Sequence, residues 1–206
     1  MTEETHEKLK QVKQHFRLLM NGDTQRSMRN KGVDYHLNWG VSIPDLRKMG
    51  DELGENYELA IELWKENIRE CKILATMTMP RESMADDLVE LWMEQTTTAE
   101  LAEQAVFNLY QHLPFAPMFA YKWIASERDI EQQSGYLLLA RLFMNGQEPN
   151  DRGIQEFVDQ ALSALQGGSY NVRHAALNSM RRFAELGDSY DVIAQKALKS
   201  VGLALF

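Results

Sequence analysis

Cysteine, long apolar runs and positive charge are all scarce in this sequence. Cys71 is the single cysteine in 206 residues, so no internal disulfide can form and a disulfide-stapled scaffold is excluded. It lies in the apolar run CKILATM, where a small thiol reads as a core residue, with a nucleophile as the alternative. No segment approaches the roughly 18 consecutive apolar residues of a membrane span, and MTEETHEKLK is charged where a signal peptide is apolar. A soluble, cytoplasmic protein is the expectation.

Lysine and arginine number 22 against 30 aspartates and glutamates, a net charge of −8. That total argues against a wholly basic nucleic-acid binder, but the charge is unevenly spread. Residues 1–50 hold nine basic and six acidic groups, residues 51–105 four and fourteen, residues 106–166 four and seven, and residues 167–206 five and three. The ends are basic and the middle is acidic. Two basic ends facing one groove would give a positive surface with an acidic back; alternatively, the acidic run is the solvated side of several helices.

Alternating β-strand patterns are almost absent, while apolar residues recur at three- and four-residue intervals nearly throughout. The chain therefore reads as all-α. Leu9, Val12, Phe16 and Leu19 form one stripe of a first helix over 4–20, and Asp23 is a cap for a short second one. Residues 32–41 read as a loop. Ser42, Pro44 and Asp45 have the arrangement of a capped helix start, with Gly54 as its stop. Asn56 opens the next helix, and 68–78 is apolar around most of its circumference. Thr97 with Glu100, Ser126 with Asp129, and Asn150 or Asp151 are further caps, the Thr97 helix extending through Leu113. Roughly ten or eleven helices joined by short connectors leave no place for a domain boundary, so 1–206 reads as a single domain. Antiparallel pairs recurring about every 35–40 residues suggest a HEAT- or armadillo-like superhelix with a concave face, the alternative being an irregular bundle.

No glycine-rich phosphate loop, no metal-ligand spacing of His or Cys and no serine nucleophile motif is present, so motifs alone name no enzyme, cofactor or metal. His6, His15, His36, His112 and His174 are dispersed and read as surface or capping groups.

Three segments carry a resemblance. The run from Tyr35 contains Gly40-Val41-Ser42-Ile43-Pro44-Asp45-Leu46-Arg47, followed by Leu63-Trp64 and the buried ILAT segment at 73–76. Over about 35–80, and less closely over 97–145 and 169–186, the chain resembles the DNA alkylation repair family of AlkD-like glycosylases, whose fold is HEAT-like. The resemblance implies double-stranded DNA on a basic concave face and hydrolysis of the N-glycosidic bond of a cationic alkylated purine. A cationic base is already a good leaving group, so the protein's task is to stabilise an oxocarbenium-like sugar and guide a water, which suits a fixed carboxylate.

By family position, Glu103 matches the catalytic aspartate and Glu100 an earlier one, while Ala99 and Asn178 stand where relatives carry tryptophans. Arg181 keeps the family's arginine, and Gln133 stands where relatives often have a basic residue. A carboxylate one methylene longer and two missing aromatic walls imply hydrolysis that is weakened or lost, since a displacement near 1 Å can cost about a hundredfold. Lys31, Arg47, Lys72, Arg173 and Arg181 are the candidate phosphate contacts, and Tyr35 and Trp39 the candidate stacking residues. The residues also have plain readings. Glu100 suits a helix start, Glu103 a solvent face, and Tyr35 and Trp39 a loop pinned to the helix below. The competing functional reading is a non-catalytic helical scaffold for a protein partner.

Overall fold

The computed structural model describes residues 2–31, 33 and 35–204. Among them are twelve α-helices and no strand, only an isolated bridge between Leu37 and Ile68. The helices are α1 (Glu3–Leu18), α2 (Gly22–Asn30), α3 (Ile43–Leu53), α4 (Tyr57–Lys65), α5 (Arg69–Thr78), α6 (Asp86–Glu94), α7 (Ala99–Asn108), α8 (Ala116–Ile124), α9 (Asp129–Met144), α10 (Asp151–Gly167), α11 (Tyr170–Ala184) and α12 (Asp188–Ser200). No helix among the described residues is long and apolar enough to cross a membrane.

The chain packs as two compact units, Met1–Val89 and Glu90–Phe206. In the first, α5 is the central element and packs on α3 and α4, while α1 packs on α4. Its sequence accounts for that position, because Cys71, Ile73, Leu74, Ala75, Thr76 and Thr78 are all buried, leaving almost no solvent face. In the second unit α7, α9 and α11 lie side by side in one layer, and α10 joins α8 and α12 in the other. α9 is the hub, touching α7, α8 and α11. At Gly135 in α9 a Cβ would fall 2.7 Å from the Ile124 backbone nitrogen, so glycine is what lets α8 and α9 approach closely.

Several starts and stops follow local chemistry. Ser42 Oγ accepts from Asp45 N at 3.2 Å, Asn56 Oδ1 from Leu59 N at 2.9 Å and Asn150 Oδ1 from Gly153 N at 2.8 Å, each satisfying an otherwise unpaired amide. Gly54 and Gly146 adopt φ of +65° and +75° after their helices. Three expected caps differ. Asn21, not Asp23, caps α2, its Oδ1 accepting from Thr24 N at 3.0 Å. Thr98, not Thr97, caps α7, accepting from Leu101 N at 3.2 Å. α9 has no side-chain cap; Ser126 Oγ instead accepts from Arg128 N and donates to Glu131. The helix expected to reach Leu113 stops at Asn108 and gives way to a 3-10 turn at Tyr110–His112. There the Gln111 amide donates to the Phe107 carbonyl, taking an oxygen that the continued helix would use.

Candidate functional site

The two units divide the candidate residues. Lys31, Tyr35, Trp39, Arg47 and Lys72 belong to the first, and Glu100, Glu103, Arg173, Asn178 and Arg181 to the second.

In the first unit the loop before α3 is held from below by a buried ion pair. Glu70 and Arg69 are both fully buried. The Glu70 carboxylate accepts from Trp39 N at 3.1 Å, Val41 N at 3.2 Å and Arg69 Nη1 at 3.1 Å, and Arg69 Nη1 also donates to the Val41 carbonyl at 2.8 Å. The node thus supplies both an acceptor and a donor to the loop backbone. Gly40 completes it at φ +72°, where a Cβ would fall 2.2 Å from the Asn21 carbonyl oxygen. Trp39 is half-buried with the Arg17 guanidinium 5.7 Å from its ring centre. Tyr35 is half-buried, Lys31 is exposed at the end of α2, and Arg47 is exposed on α3. Lys72 is turned toward its own fold. Its ammonium donates to the Trp64 carbonyl at 2.7 Å and lies 4.4 Å from the Trp64 ring centre, and burial lowers its pKa.

In the second unit the helical repeat sorts the residues by face. On α7, Leu101, Ala102, Ala105 and Val106 are buried. The opposite side therefore carries Ala99, Glu103 and Phe107 at four-residue spacing, with Glu100 and Gln104 beside them. On α11, Val172, Ala175, Ala176, Ser179, Met180 and Phe183 are buried, leaving Tyr170, His174, Asn178 and Arg181 as a second stripe. On the second stripe, His174 lies near enough to Glu103 on the first for its charge to act on the carboxyl. Glu103, although exposed, has its carboxyl raised above the usual range, chiefly by the neighbouring chain that displaces water, next by the charge of Glu100, and against the opposing pull of His174. His174, read from the sequence as a surface or capping group, is the α11 residue whose charge acts on Glu103. Its spacing of four from Asn178 and seven from Arg181 was the available signal.

Arg181 and Arg182, neighbours in sequence, separate as a helix requires. Arg182 forms an ion pair with Glu185 at 2.8 Å, whereas Arg181 is exposed and makes no ion pair among the described residues. Arg173 Nη1 donates to the Gly168 carbonyl at 3.1 Å. α11 contains three arginines and no acidic residue, which concentrates positive charge on one element of an acidic protein. A cavity of about 200 Å³, lined by Pro117, Tyr121, Phe143 and Glu148 among others, lies on the side of α8 and α10. The carboxylates of α7 instead sit on open surface, an arrangement suited to a large ligand that supplies its own bulk.

The family model described as DNA alkylation repair enzyme matches residues 12–166. A Listeria innocua protein, "Uncharacterized protein Lin0241", is 26% identical over 198 residues, covering 93% of this chain and 85% of that one. A solved structure described as "A new family of proteins related to the HEAT-like repeat DNA glycosylases with affinity for branched DNA structures" superposes with a TM-score of 0.84 at 18% identity, covering 95% of this chain and 84% of that one. The all-α layers described above are therefore a HEAT-like repeat fold.

Proposed function

The chain belongs to the DNA alkylation repair enzyme family, and from that premise we propose that the open face of α7, α9 and α11 binds DNA and that Glu103 supports slow hydrolysis of the N-glycosidic bond of a cationic alkylpurine. The observation that carries this reading is Glu103 on the exposed side of α7, with His174 of the arginine-bearing helix α11 near enough to act on its carboxyl.

The chemistry asks little of the protein. As the C1′–N bond breaks, its electron pair passes to the base and neutralises the charge of the alkylated ring, leaving an oxocarbenium-like sugar. An ionised Glu103 stabilises that cation and accepts the proton of the water that adds to C1′. Arg181 and Arg173 supply charge for the phosphates. Alanine at position 99 and asparagine at 178 leave the base without aromatic walls, and the glutamate side chain sets its carboxylate differently from an aspartate. Turnover is accordingly slow, while binding is retained. The solved neighbour's affinity for branched DNA makes junctions and flaps the DNA forms to try beside plain duplex.

The full-length protein, incubated with DNA containing N7-methylguanine or N3-methyladenine, is expected to release base slowly, and Glu103→Gln to abolish release. No release at high protein concentration would remove the hydrolytic half. Retardation of duplex or branched DNA that fades with added salt supports the binding half, and its absence at low salt would overturn it.

A further inference from the structure

Arg141 is a further cation on this face, held by two side chains. It lies in the last turn of α9, half-buried. Its Nε donates to Gln111 Oε1 at 2.9 Å, and its guanidinium carbon lies 4.9 Å from the centre of the Phe107 ring. Phe107 is one turn beyond Glu103 on α7, and the Gln111 amide is itself anchored on the Phe107 carbonyl. Ring and amide together fix the plane of the guanidinium and use one of its five N–H groups; Nη1 lies 3.9 Å from Met144 Sδ, a weak acceptor.

The charge is uncompensated. On the same unit Lys122 pairs with Glu90, Arg128 with Glu131 and Arg182 with Glu185. Arg141 makes no ion pair among the described residues. The end of the α9 dipole favours any cation there, and only weakly. That does not account for a fork oriented by two separate side chains, one on α7 and one on the 3-10 turn that follows it. A guanidinium ordered in advance and left with free N–H groups is the arrangement that binds a tetrahedral oxyanion in two-pronged fashion, with little side-chain entropy left to lose.

Building on the DNA-binding reading, we propose that Arg141 is a phosphate-binding residue of this face, with Phe107 and Gln111 as its positioning residues. The ligand is a backbone phosphodiester, contacted one helical turn along α7 from Glu103. The contact fixes register on the DNA and carries no base preference.

Fluorescence anisotropy of labelled duplex and branched oligonucleotides, titrated with the full-length protein across a potassium chloride series, tests it. Each phosphate contact contributes about 0.9 to the slope of log affinity against log salt on B-form DNA. Arg141→Gln is expected to weaken binding several-fold at low salt and to lower that slope by about 0.9. Arg141→Lys keeps the slope and loses affinity, because the charge survives and the fork does not. Phe107→Leu, which removes the platform alone, behaves like Arg141→Lys. Thermal melts of each variant separate a structural role: a lowered melting temperature with an unchanged slope in Arg141→Gln overturns the assignment. Wild-type protein that binds DNA, beside an Arg141→Gln variant of equal slope and affinity, overturns it and leaves the parent reading standing. Wild-type protein without salt-sensitive binding sinks both.

Discussion

Two carboxylates, one in each unit, have arginine or histidine for company and opposite surroundings. Glu70 is fully buried and receives N–H groups from Trp39, Val41 and Arg69. Glu103 is exposed, with His174 and Glu100 near enough to shift its proton affinity and no hydrogen bond among the described residues. What separates them is the state of the oxygen lone pairs. At Glu70 they are filled by the fold, so the group is a structural node whose function is to set the 37–41 loop. At Glu103 they are open, and neighbouring charge tunes when the group ionises. An ionisable residue serves chemistry where the fold leaves its bonding capacity unspent.

The comparison can be broken most forcefully at Glu70. Glu70→Ala removes the acceptor of the Trp39 and Val41 amides and the carboxylate beside the buried Arg69 guanidinium, and a destabilisation of about 3–5 kcal/mol is expected by urea or thermal unfolding. Glu103→Gln should change the same measurement by no more than about 0.5 kcal/mol while ending base release. A loss comparable to that of Glu70→Ala would make the two carboxylates alike and end the distinction.

Glu100 sharpens the contrast through pH. Because Glu103 must be ionised to act and its pKa is raised, release should fall as pH drops through that raised value. Glu100→Gln removes a negative neighbour, favours ionisation and should carry the acid limb to lower pH; His174→Ala removes the opposing influence and should carry it higher. A limb unmoved by either change would mean that another group titrates. The smallest effect concerns hydroxyls rather than carboxylates. Tyr136 and Tyr110 bury theirs without a hydrogen-bond partner among the described residues. Tyr136→Phe should therefore be neutral or stabilising by up to about 1 kcal/mol in calorimetry, and a clear loss would reveal a bound water or partner at that oxygen.

How far these features were legible in the sequence depended on the range of the interaction. The caps at Ser42, Asn56 and Asn150, and the stops at Gly54 and Gly146, are written within four residues and emerge in place. Thr97 and Thr98 offered the same chemistry side by side, and the choice fell to the one the packed chain buries. Position 103 was found by resemblance, and its setting by helical spacing. The partners of Arg69 and Glu70 are not legible locally, because the amides that claim Glu70 lie 29 and 31 residues earlier. Arg141 is not legible for the same reason: its two holders, Phe107 on α7 and Gln111 on the 3-10 turn, lie 34 and 30 residues earlier.

The sealed position of Cys71 turns the protein into its own probe of breathing. The chain has one sulfhydryl, it is wholly inaccessible within α5, and burial disfavours its reactive thiolate. A thiol-selective reagent added under native conditions can mark the chain only when the middle of the first unit swings apart. The rate of mass gain therefore clocks that opening, with no engineered label and no background from the second unit.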